Sequence, residues 1–97
     1  MPLTRSVLFK AVVQKGRRIQ IPRLVRWQFK LDPGEVFHVT VWLVGRIVSE
    51  SFYAKMTSDG RITIPKLEAG IFAAGVQKET LIGCVVSVRL SPVEQES

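Results

Sequence analysis

The chain contains one short segment twice. Residues 16–22 read Gly-Arg-Arg-Ile-Gln-Ile-Pro, and residues 60–65 read Gly-Arg-Ile-Thr-Ile-Pro. The offset is 43 or 44 residues, and we attribute the difference to an extra arginine in the first Gly-Arg turn. Solenoids and propellers need at least three repeats. Two copies in 97 residues therefore predict one pseudo-symmetric domain, in which each half covers the apolar face of the other. Flanking matches pair Leu8 with Phe52, Val12 with Met56, Leu24 with Leu67, Phe29 with Phe72 and Glu35 with Glu79.

Local patterns predict the order β-β-α-β in each copy. Pro22 and Pro65 end the second strand of each copy, because proline has no N–H to donate, and its fixed φ suits the start of a helix. Short helices are predicted over 23–31 and 66–74. Strands are predicted over 5–13, 18–21, 36–44, 46–57, 61–64 and 80–90.

Six strands with short connections suit a closed barrel, which leaves no edge strand exposed. We therefore predict a mainly β protein with two short helices, built as a closed six-stranded pseudo-two-fold barrel. Residues 1–97 form one domain, with repeat one over about 3–45, repeat two over about 46–90 and a tail over 91–97 that frays. We expect a monomer, with a homodimer as the alternative.

Composition narrows the classes of function. A hydrophobic fraction of 46% is typical of a folded protein, and no apolar run is long enough for a membrane helix. The N-terminus lacks the apolar run of a signal peptide, so we expect a cytoplasmic protein. No metal-ligand spacing, phosphate-binding glycine loop or acid–base pair is present, so we expect no metal, no cofactor and no enzymatic activity.

Charge is distributed unequally between the two copies. The net charge is +6, but residues 1–49 carry +7 and residues 50–97 carry −1. At about 100° per residue, Arg23, Arg26 and Lys30 fall on one face of the first helix, which we predict to face solvent. The equivalent face of the second helix is nearly uncharged. A basic first copy beside a neutral second copy indicates a polyanion-binding surface.

Aromatic and apolar residues in periodic segments predict the core. The alternation in the repeated segment places Ile19, Ile21, Ile62 and Ile64 inside. It leaves Gln20 and Thr63 on the opposite face, where alanine is expected to cost little. Trp27 and Trp42 lie in apolar segments, which favours core packing over stacking on bases. His38 is expected to be a partly buried strand residue.

Gly-Arg-Ile-Thr-Ile-Pro-Lys, followed by a short amphipathic helix and a turn such as Leu31-Asp32-Pro33-Gly34-Glu35, resembles the AbrB/SpoVT/MazE group. The resemblance covers nearly the whole chain, once per copy, and implies a small swapped-hairpin barrel that binds DNA. That group closes its barrel by dimerisation, whereas this chain carries both halves covalently. In this respect it is similar to RIFT-type barrels of the wider cradle-loop class, including a small archaeal single-chain barrel. The Gly-Glu turn at Gly34-Glu35 is interpreted as lost in the second copy.

The resemblance implies that Arg17, Arg61 and the helix-flanking Arg23 contact duplex DNA. Charge and helix geometry add Lys15, Arg18, Arg26 and Lys30 to this candidate nucleic-acid site. Two alternatives stay open, since one fold hosts many functions. One is an interaction or structural barrel that binds RNA or protein, and the other is a small ligand-binding barrel related to riboflavin kinase.

Overall fold

The computed structural model describes residues 3–43 and 45–93. Each repeat contributes three strands and one helix, in the predicted order. The elements are β1 (Val7–Val12), β2 (Arg18–Gln20), α1 (Arg23–Gln28), β3 (Val36–Trp42), β4 (Ser49–Lys55), β5 (Arg61–Thr63), α2 (Lys66–Gly75) and β6 (Val85–Ser91). The fold is thus mainly β with two helices. Residues 94–97 of the predicted tail lie outside the described residues, while Ser91 belongs to β6.

Every ladder joins a strand of one repeat to a strand of the other. The larger sheet has the order β1-β6-β3-β4, and β2 pairs with β5 in a second sheet; all pairs are antiparallel. The register is centred on the pairs Ile19–Ile62 in the smaller sheet and Thr40–Arg89 between β3 and β6. The two repeats are therefore interlocked about a pseudo-two-fold axis.

The closed six-stranded barrel that the sequence predicts is not confirmed. Among the described residues, β1 is joined to β2 by a bridge between Gln14 and Arg18, and β4 is joined to β5 by the N–H of Thr57, which donates to the Arg61 carbonyl. Neither contact extends into a ladder, because β2 and β5 are three residues long and proline follows closely. Within the described residues, no ladder joins the two sheets.

The repeated turns have equal length, which corrects the sequence alignment. The N–H of Ile64 donates to Arg17 and, equivalently, the N–H of Ile21 donates to Gly60. Arg17 therefore occupies the place of Gly60, and both have positive φ, 61° and 79°. The offset is 43 here without an inserted arginine, and the counterpart of Arg61 is Arg18, not Arg17.

The second half of each repeat also needs a different alignment. Gly34 and Gly83 have φ of 87° and 86°, and their N–H groups donate to Met56 and Val13 across equivalent contacts. The turn interpreted as lost is therefore present at Gly83. Helix α2 has 10 residues and α1 has six, so the offset grows beyond 43 after the helices, and the pairing of Glu35 with Glu79 is wrong.

One core lies between the larger sheet, the smaller sheet and the helices. The four isoleucines of the repeated segment are fully buried, as predicted, together with Phe37 and Phe72. The predicted helix 23–31 ends early because Lys30 adopts φ of 52° and turns the chain, which buries Leu31. Strand β6 starts at 85 rather than 80 because Gly83 lies in a turn.

Candidate nucleic-acid interface

The seven basic residues predicted to bind nucleic acid surround the smaller sheet. We call this sheet and the two turns that precede β2 and β5 the hairpin ladder (residues 14–20 and 57–63). Ile19 and Ile62 point into the core, and the alternate residues of the ladder point outwards. Lys15, Arg17 and Arg18 lie at the first turn, and Arg61 lies in the second strand of the ladder. Helix α1, with Arg23, Arg26 and Lys30, follows β2 directly.

Two of the seven basic residues donate to backbone carbonyls of the protein itself. The Nε of Arg17 donates to the carbonyl of Ile64 at 3.0 Å, and the Nε of Arg26 donates to the carbonyl of Ile21 at 3.1 Å. These two carbonyls are equivalent in the repeats, since each precedes the proline that ends its strand. One repeat thus uses an arginine from the turn and the other uses an arginine from the helix. Both side chains are half-buried.

The Arg26 side chain also explains why position 60 holds a glycine. Arg26 packs over Gly60, so that a Cβ at this position would lie 2.5 Å from the guanidinium carbon. Gly60 has φ of 79°, a conformation that glycine adopts without steric cost. Arg26 therefore faces the second turn, and the prediction that it belongs to a solvent-facing stripe is wrong.

Arg61 is bound on two sides. It forms an ion pair with Asp59, and its Nε donates to the side-chain oxygen of Gln14 at 2.9 Å. The hydroxyl of Thr57 donates to Asp59 and, together with Arg61, holds the pKa of Asp59 below its ordinary value of 3.8. Because this pKa is lowered by folding, the contribution to stability is present above that value and is lost as the pH falls through the lowered pKa.

The remaining four predicted cations, Lys15, Arg18, Arg23 and Lys30, are exposed. Lys15 and Arg18 lie at the first turn, whereas Arg23 and Lys30 flank α1. The first turn lies beside the start of α2, where Arg17 and Lys66 line one cavity of about 250 Å³ together with Glu79. Arg23 begins α1, and Lys30 follows its end in the turn that stops the helix. The predicted site is therefore a set of cations around the hairpin ladder, not one continuous stripe.

Sequence reasoning missed the exposed apolar surface of α1. Trp27 is 79% exposed, although core packing was favoured for it, and the neighbouring Leu24 is 72% exposed. Together with Gln28 and Lys30 they line a groove of about 430 Å³. A tryptophan that is not packed in the core and lies on a basic surface is able to stack on a base. Trp27 therefore joins Arg23 and Lys30 as a candidate contact.

Neither a metal-binding cluster nor a membrane-spanning helix is found in the described part of the chain. No group of three or more His, Cys, Asp or Glu side chains is arranged to hold a metal ion within residues 3–43 and 45–93. Neither α1 nor α2, the helices of these residues, has the length and apolar character needed to cross a membrane.

Comparison with known proteins supports the fold alone. No family model matches the chain, and no curated protein matches it. The solution structure of PHS018 from Pyrococcus horikoshii is similar to it over 100% of both chains, with a TM-score of 0.67 and 19% sequence identity. At this identity the likeness extends to the architecture and not to a function.

Proposed function

We propose that the protein binds duplex DNA with little sequence preference, as a regulator of AbrB-like descent that acts as a monomer in the cytoplasm. The contacts are made to phosphates by Lys15, Arg18, Arg23 and Lys30. Phosphate contacts give affinity and orientation but carry no direct information about base sequence.

The observation that carries this proposal is the difference between equivalent positions of the two repeats. Lys15 corresponds to Ser58, and Lys30 corresponds to Gln77, which has the same position and a similar φ after the helix. Arg18 is exposed, whereas its counterpart Arg61 is held by Asp59. Because the fold accepts uncharged or neutralised residues at the positions equivalent to Lys15, Lys30 and Arg18, these three cations are not required for folding.

The test is the salt dependence of binding to a short mixed-sequence duplex. Trp42→Phe leaves Trp27 as the sole tryptophan, so that its fluorescence reports binding beside α1. We expect log affinity to fall linearly with log salt, with a slope of about −0.9 for each phosphate contact. Replacing Lys15 and Arg18 together by alanine should weaken binding and make the slope shallower by about 2.

Arg61→Ala in the same background is the matched control. Arg61 occupies the equivalent position to Arg18 but is already paired, so its removal should change the slope much less. Equal losses from the two changes would mean that the repeated motif itself binds, as in the dimeric relatives of this fold. Failure to bind duplex at low salt would refute the proposed function.

A further inference from the structure

The outward face of the larger sheet carries a second candidate surface, formed by other strands than those of the hairpin ladder. On β3, Phe37, Val39 and Val41 are fully buried, so the alternate residues point away from the core. Three of these outward positions on β3 and β4 hold rings, at His38, Trp42 and Tyr53.

These rings are available to a partner. Tyr53 is 63% exposed, and His38 and Trp42 are half-buried. His38 lies directly opposite Tyr53 in the register, and their ring centroids are 5.0 Å apart. Trp42 lies four residues further along β3, about 13 Å away. Two separate ring platforms therefore lie on one face.

The charges on this face are of one sign. The larger sheet consists of β1, β6, β3 and β4. At the outward positions of these strands, the charged residues are Lys10, Lys55 and Arg89, with no aspartate or glutamate. Arg89 pairs with Thr40, which lies midway between His38 and Trp42. A cation therefore lies between the two ring platforms, which suits a polyanion that carries planar rings.

The pseudo-symmetry indicates that the rings are not needed for folding. His38 and Trp42 correspond to Ser87 and Ser91 on β6, and Tyr53 corresponds to Lys10 on β1. The same fold thus accepts small or charged residues at the equivalent places. The aromatic character is confined to the half of the sheet formed by β3 and β4.

We infer that this face binds single-stranded nucleic acid, with bases stacked on Tyr53, His38 and Trp42 and phosphates beside Arg89, Lys10 and Lys55. Exposed rings on a sheet flanked by cations are the chemistry by which single strands are held without sequence readout. Paired bases in a duplex do not offer their faces to such rings. This inference concerns a different surface from the proposed duplex site and stands or falls separately.

Trp27→Phe leaves Trp42 as the sole tryptophan and gives the probe for this surface. Titration with a short oligothymidylate and a short oligouridylate at low salt should quench Trp42 and saturate. In that background, Tyr53→Ala and His38→Ser should each weaken binding about fivefold or more, since stacking of one base is worth roughly that factor. His38→Ser installs the residue that the fold already accepts at position 87.

Val12→Ala is the control, because Val12 is 50% exposed on the same face but lies on β1, two strands away from β3. It should leave affinity unchanged. Absence of Trp42 quenching by both oligonucleotides would overturn the inference, as would unchanged affinity in both ring variants. A dimer seen by sedimentation that Tyr53→Ala dissociates would also overturn it, since a second copy would then cover the face. Duplex binding reported by Trp27 in Trp42→Phe decides the proposed function independently of these outcomes.

Discussion

At the scale of single residues, the sequence identified the basic residues around the hairpin ladder but not their partners. The family resemblance selected Arg17 and Arg61, and charge and helix geometry selected Arg26 together with Arg18. The structure separates them, because the first three bind carbonyls, Gln14 or Asp59. With six residues, α1 is too short for periodicity to fix which face is inward. The direction of Arg26 depends on Gly60, which is distant in sequence.

The contact between Arg26 and Gly60 predicts a specific coupling. Gly60→Ala should destabilise the protein by more than the ~1–2 kcal/mol expected for a left-handed backbone alone. The reason is that the added methyl displaces Arg26 from the Ile21 carbonyl. Gly34→Ala is the control, because Gly34 has φ of 87° and open space around a Cβ.

Urea unfolding of Gly60→Ala, Arg26→Ala and the double variant measures this coupling as a double-mutant cycle. Removing Arg26 first should reduce the cost of Gly60→Ala to that of Gly34→Ala. Additive costs would show that the guanidinium does not rest on this glycine.

At the scale of elements, the sequence predicted the eight helices and strands that the described residues form, and their order. Proline and alternation placed β2 and β5 because these signals are local. The end of α1 and the start of β6 were wrong, whereas β3 starts at the predicted residue 36; after each helix, Lys30 and Gln77 adopt positive φ without being glycine. Such residues carry no visible turn signal, so the real offset between β3 and β6 was hidden.

The hairpin ladder gives a ranked prediction. Ile62→Ala should cost about 2–5 kcal/mol, because Ile62 is fully buried at the pseudo-two-fold axis. Thr63→Ala should cost little, since Thr63 is exposed. Gln20→Ala should fall between them at about 1 kcal/mol, because its amide donates to the carbonyl of Asp59 at 2.9 Å and to that of Gly60 at 3.2 Å.

Denaturant midpoints of the three variants, with m-values compared, test this order. From the sequence alone, Gln20→Ala was expected to destabilise the protein as little as Thr63→Ala. If Gln20→Ala proved as mild as Thr63→Ala, the amide contacts across the ladder would contribute nothing to stability.

At the scale of the whole molecule, duplication was the most reliable guide. It predicted two interlocked β-β-α-β units, and every ladder does join one unit to the other. Whether the six strands close into one barrel was not predictable in the same way, since this depends on how far β2 and β5 extend beyond their turns. The ring-bearing face was also hidden, because Trp42 and His38 become neighbours of Tyr53 only through the β3–β4 register.

Interlocking predicts that neither half folds alone. A fragment of residues 1–48 contains β1, β2 and β3, none of which pairs with another in a ladder within the described structure. It should therefore lack dispersed amide signals by NMR, or should associate into a homodimer that substitutes for the missing half. Mixing it with residues 49–97 should restore the spectrum of the intact chain, because each half supplies the strands that the other lacks. The intact chain should sediment as a monomer at low micromolar concentration. A folded monomeric fragment would contradict the interlocked architecture, and a stable dimer of the intact chain would contradict the expected monomer.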